Sequence, residues 1–216
     1  MLKRVWMYSP EANIKKRDGI IATLFWAVAI LAVGVFLCRW GVNTGKISIN
    51  FIPFIAIIAV VMPVQLVLSG ISTIYKEKLK SLYVFALDGT GELYYFYLSS
   101  DAFLDTLKLR KYQIDRLRYR NFIYTIIRDV INEKNRKELL AIVRQEGYIE
   151  KIFSEQLQDK VGQKIHSVVS LSKKGKYATV RINLDTNEKQ KVKTIIVYDV
   201  IDDFDKLLEA FYNKVL

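Results

Sequence analysis

His166 is the only histidine in this sequence and Cys38 the only cysteine, and these two residues bound the chemistry before any fold is considered. Zinc sites built from His and Cys need several such ligands, so one chain cannot supply one. A Cys–His nucleophile pair fails as well, because Cys38 lies inside a long apolar run. A serine triad would need His166 as its base, yet no G-x-S-x-G turn accompanies it. His166 is expected at a strand edge instead. Gly89-Thr90-Gly91 lacks the third glycine and the strand-loop-helix context of a nucleotide loop, and a hairpin turn explains it better.

Asp199, Asp202, Asp203 and Asp205 form an acidic cluster at an expected strand-to-helix junction. A hard cation could use these oxygens, but the spacing is not that of a calcium loop. Acids in a first helical turn cap orphan N–H groups and complement the helix dipole, and that is the expected role. The sequence therefore points to no catalytic residue, no cofactor and no metal site, and to a protein that is not an enzyme.

Lys108, Arg110, Lys111, Arg116, Arg118 and Arg120 crowd one short stretch in which Asp115 is the only acid, with Tyr112 and Tyr119 interleaved. Such a stretch serves as the solvated face of a helix, as a contact for anionic lipid headgroups or a partner, or as a nucleic-acid surface. The net charge of +11 suits the lipid and nucleic-acid alternatives alike. Nucleic acid ranks below lipid here, because the chain carries its own route to a membrane.

That route is a pair of uncharged runs, Ile20 to Cys38 and Phe51 to Tyr75. Each is long enough to cross a bilayer as a helix, which takes about 20 residues. The first run is too long for the apolar part of a cleaved signal, and Arg39-Trp40-Gly41 is a poor cleavage site. Lys3, Arg4, Lys15, Lys16 and Arg17 precede the first run, and Lys76, Lys78 and Lys80 follow the second. Basic flanks stay on the cytoplasmic side, so the expected location is the cell membrane, multi-pass, with both termini cytoplasmic. Thr23, Ala27 and Gly34 share a helical stripe of small residues suited to close packing on the second span or, less readily, to a homodimer. Gln65 is the polar side chain expected to hydrogen-bond across the helices, beside a kink at Pro63.

The layout expected from these features is a basic segment at 1–19, a transmembrane helical hairpin at 20–75 and a cytoplasmic domain at 76–216. In the domain, 81–87 and 92–98 read as a hairpin around Asp88-Gly89-Thr90-Gly91. Ser99-Ser100-Asp101 offers N-cap residues to a helical stretch that runs to about Gly162, broken near Asn132 to Asn135. Strands return at 165–171, 177–184 and 190–200, and a closing amphipathic helix follows Asp202. The fold class is α+β: a two-helix transmembrane hairpin, then a five-stranded, mostly antiparallel sheet with a helical insertion and a C-terminal amphipathic helix.

The strands at 81–98 and 165–200 with the helix after Asp202 resemble bacterial membrane proteins that carry a pleckstrin-homology-like cytoplasmic domain. The helical stretch 101–162 departs from that pattern, so no binding residue carries over. The functional expectation is an integral membrane protein whose domain is a non-enzymatic interaction or regulatory module at the inner leaflet. The bilayer and anionic headgroups are the expected partners, with a protein partner or second copy beside them. The rivals are an accessory subunit of a transporter-type complex and a membrane-tethered, metal-dependent enzyme using Asp199–Asp205.

Overall fold

The computed structural model describes residues 2–12, 18–45, 50, 52–114, 122–184 and 191–215. The chain divides into two compact units: residues 1–14 with 78–216, and residues 15–77.

The larger unit is built on six antiparallel strands, each hydrogen-bonded to its neighbour in sequence order. They are β1 (Leu2–Met7), β2 (Tyr83–Asp88), β3 (Leu93–Tyr97), β4 (Gln163–Lys174), β5 (Tyr177–Leu184) and β6 (Lys191–Tyr198). The two outer strands meet. Tyr8 bridges Ile201, the Asp202 amide donates to the Met7 carbonyl at 3.2 Å, and the Tyr198 amide donates to the Tyr8 hydroxyl at 2.9 Å. The sheet therefore curls on itself, which leaves little bare edge for another chain to pair with.

Its inner face is apolar. Trp6, Tyr8, Phe85, Leu93, Tyr95, Val180, Ile182, Ile195 and Val197 form one buried cluster with Phe204, Leu207, Leu208 and Phe211 of the C-terminal helix. The Phe85 and Phe211 rings meet edge-on at 5.3 Å. Each such side chain contributes about 1.5–3 kcal/mol by leaving water. Val84, Ala86, Tyr94 and Phe96 on the other face of β2 and β3 are buried as well. The helices of this unit are α3 (Asp101–Thr106), α4 (Phe122–Val143), α5 (Tyr148–Ser154) and α6 (Gln158–Val161), with α7 (Phe204–Tyr212) closing the inner side. Phe153 packs edge-on against Tyr94 and Phe96, at 5.3 Å and 6.1 Å. Both faces of β3 are thus covered, which explains why Tyr94 to Tyr97 does not alternate.

Local signals act as their chemistry requires. Asp88 Oδ1 accepts from the Thr90 and Glu92 amides at 2.9 and 2.8 Å, and Gly91 takes φ +86° in the hairpin turn. The Ser100 hydroxyl caps α3 by accepting from the Phe103 amide at 3.2 Å.

The smaller unit contains α1 (Asp18–Asn43) and most of α2 (Ile52–Lys78). Here the expected fold class and location require correction. Among the described residues one stretch, Phe25–Asn43, is long and apolar enough to cross a membrane, with 11% of it buried. A two-helix transmembrane hairpin and a multi-pass location with both termini cytoplasmic are therefore not supported. The sheet has six strands, not five, because Leu2–Met7 pairs with β2. The supposed break at Asn132 to Asn135 lies inside a continuous α4, where Asn132 and Arg136 are buried.

Candidate interaction surface

The most constrained polar group in the larger unit is Arg136, in the middle of α4 and 1% exposed. Its Nε and Nη2 donate to the two carboxylate oxygens of Glu133 at 3.0 and 2.9 Å. Its Nη1 donates to Ser81 Oγ at 2.8 Å, and Nη2 donates also to the Pro10 carbonyl at 3.0 Å. Lys78 Nζ reaches Glu133 at 3.3 Å, and Ser81 Oγ donates back to the Lys78 carbonyl at 2.6 Å. Pro10 precedes the smaller unit in the chain, and Lys78 and Ser81 follow it. One helix therefore holds both the point where the chain leaves the domain and the point where it returns. Burial works against the Glu133 charge, but the Arg136 hydrogen bonds and the charges of Arg136 and Lys78 outweigh it and hold the carboxyl below its ordinary range. An Arg–Glu pair three residues apart is visible in the sequence. Its burial and its distant partners are not.

The predicted basic stretch is only partly in view. Arg116, Arg118 and Arg120 lie outside the described residues. Lys108, Arg110 and Lys111 fall on a loop and a short 3-10 turn, Arg110–Tyr112, and not on the face of a helix. Arg110 is ion-paired with Asp101 at 2.9 Å and Asp105 at 2.7 Å, so its charge is met within the domain. Lys108 and Lys111 are exposed. Lys111 Nζ sits 4.7 Å from the Tyr112 ring centre, and a hydrogen bond to Tyr112 pushes its pKa up.

The acidic cluster splits apart. Asp202 pairs with Arg144, Asp203 with Lys206 at 3.3 Å and Asp205 with Lys173 at 2.8 Å. Asp203 does occupy the N-cap of α7, at φ +47°, but its side chain makes no capping hydrogen bond. Ion pairing, not capping, is what these carboxylates do. Among the described residues no group of three or more His, Cys, Asp or Glu is placed to hold a metal. His166 is exposed on β4.

Of the proposed interhelical residues, Ala27 is buried, Gly34 is half-buried and Gln65 is exposed. Thr23 lies on α1, with its side chain outside what the structure describes.

A cleft of about 440 Å³ was not foreseen, since its lining comes from five separate elements and the turns beside them. Tyr95, Tyr97, Asp159, Gln163 and Lys193 surround it. Lys193 Nζ donates to the Tyr95 hydroxyl at 2.8 Å. At the rim, Gly162 leaves no room for a side chain, because a Cβ there would stand 2.5 Å from Phe96 Cε1. No protein-family model, curated protein or solved structure matches this chain.

Proposed function

We propose that this protein is a membrane-associated, non-enzymatic interaction module, held at a bilayer by apolar helical sequence inserted into one folded domain. One observation carries the reading. Phe25, Trp26 and Phe36 of α1 are 67%, 61% and 66% exposed, within a stretch of 19 residues that is long enough to cross a bilayer. Apolar surface of that extent does not stay in water; it takes a bilayer or a partner.

Two blander accounts of α1 fit less well. The helix is not a core element of the chain, since little of it is buried. As a cleaved leader it would take β1 with it, and β1 contributes Trp6, 1% exposed, to the core. The curled sheet with its closing helix α7 supports a binding role of the pleckstrin-homology-like kind for the domain. The ion-paired Asp202, Asp203 and Asp205 favour no metal-dependent reaction at that junction.

Membrane fractionation tests the proposal. The full chain should sediment with membranes, resist washing with salt and alkaline carbonate, and leave only in detergent. Recovery as a monodisperse protein in the soluble fraction, without detergent, would overturn it.

A further inference from the structure

The two halves of α4 serve opposite ends. In its C-terminal half, Leu139, Leu140 and Val143 are fully buried against the domain. In its N-terminal half, Tyr124, Ile127, Val130 and Ile131 are 63%, 50%, 65% and 52% exposed. At about 3.6 residues per turn, the set Ile127, Val130 and Ile131 centres on the side of the helix away from Leu139, Leu140 and Val143, with Val130 directly opposite Leu139. This apolar face cannot be a misplaced part of the core, because the core is on the other side. Lys134 and Lys137 continue the same face toward the C-terminus, both exposed, with Lys134 near Glu138 at 3.8 Å.

We infer that the N-terminal half of α4 is an interfacial helix that lays Tyr124, Ile127, Val130 and Ile131 into an anionic lipid surface. This rests on the membrane reading above. Two features select a bilayer as the occupant. The first is position. Glu133 and Arg136, which hold both ends of the apolar excursion, stand within about two turns of Ile131 on the same helix. The unburied apolar residues of α4 thus stand, along the helix, beside the groups that hold the chain's departure from the domain. From Glu133 the helix continues about 14 Å to Tyr124, about two and a half turns whose apolar face can lie along the interface. The second is charge. Lys134 and Lys137 follow the apolar residues on the same face, where long stems let ammonium groups reach headgroup phosphates.

The test uses the full chain with Cys38→Ser and single cysteines at Ile127→Cys or Val130→Cys, each carrying an environment-sensitive dye, in nanodiscs of phosphatidylcholine with or without phosphatidylglycerol. Both positions are exposed, so labelling leaves the core intact. Phe36→Cys on α1 serves as the reference. In anionic discs, the labels at 127 and 130 should shift to the blue and lose most of their emission to a spin-labelled lipid. Quenching at 36 without quenching at 127 and 130 would overturn the inference and leave the membrane reading standing. Quenching at none of the three would bring down both. Equal quenching in neutral discs would overturn the choice of anionic lipid. Quenching by a second labelled copy, independent of the lipid quencher, would assign the face to a homodimer instead.

Discussion

In the larger unit most large apolar side chains are turned inward, and in the smaller one most of the described ones are exposed. Trp6, Phe85, Phe96, Phe103 and Phe211 are each at most 1% exposed, whereas Phe25, Trp26, Val28 and Phe36 are all above 60%. The residue types are the same; the difference is what encloses them. A curled sheet with helices on both sides supplies its own shelter. The apolar helix α1 has little of it within the chain, and such a surface calls for a bilayer or a partner. Stability in the first region is thus intrinsic, and in the second it depends on the surroundings.

Trp6→Ala should break the comparison most sharply. It removes a fully buried ring from a strand that precedes the apolar helices, and should lower domain stability by about 3–5 kcal/mol. Phe36→Ala, in an exposed aromatic of the smaller unit, should move the domain's melting by less than about 0.5 kcal/mol. Calorimetry of both variants in detergent decides. Comparable losses would mean that the two regions share one core.

Arg136→Ala should cost about 3 kcal/mol, since it strands Glu133 and Ser81 without their buried partner. Arg136→Met combined with Glu133→Gln should recover part of the loss, because both charges are then gone. A single substitution as mild as a surface change would show that the Arg136 network contributes little to the domain's stability.

The same joint should sense acid. The Glu133 carboxyl is held below its ordinary value, so its contribution is present above the unfolded-state pKa and lost as pH falls through the lower, folded one. Glu92, held down by Lys214 and then Lys164 against the effect of burial, acts in the same direction. Urea midpoints taken from neutral pH downward should fall, and Glu133→Gln should flatten the curve. An unchanged slope in that variant would remove Glu133 from the account.

Gly162→Ala should cost about 1–2 kcal/mol by overpacking, as its Cβ meets Phe96 and the Gln158 carbonyl. Smallest of all, Arg144→Gln should change stability by no more than about 0.5 kcal/mol, because its pair with Asp202 is partly open to water.

Where neighbours in sequence decide the structure, the reading from sequence was close. The strand at 177–184 has the bounds expected of it, and the Asp88 turn, the Ser100 cap and the apolar face of α7 follow from chemistry within a few residues. The misses share a cause. Lys3 and Arg4 made the first residues look like a solvated basic flank, yet Leu2–Met7 is a strand whose partner begins at Tyr83. Asn132 to Asn135 looked like a helix end, and only the buried partners of Arg136 explain why α4 runs through it. The basic stretch looked like one surface until Arg110 was found paired with Asp101 and Asp105. None of the expected site residues gathers at the cleft around Lys193, whose lining no local pattern connects.

The sequence by itself determined the α+β class, the two hairpins, the closing helix and the presence of apolar helical sequence that water alone cannot cover. Those properties rest on periodicity, turn residues and hydrophobicity, which act over a few residues. Tertiary structure alone decided that the N-terminal strand completes the sheet, that Arg136 holds both ends of the excursion, and that α4 turns one face to the core and another away from it. These depend on which distant groups share a low-dielectric interior, where an unmet charge or N–H is costly enough to select one arrangement.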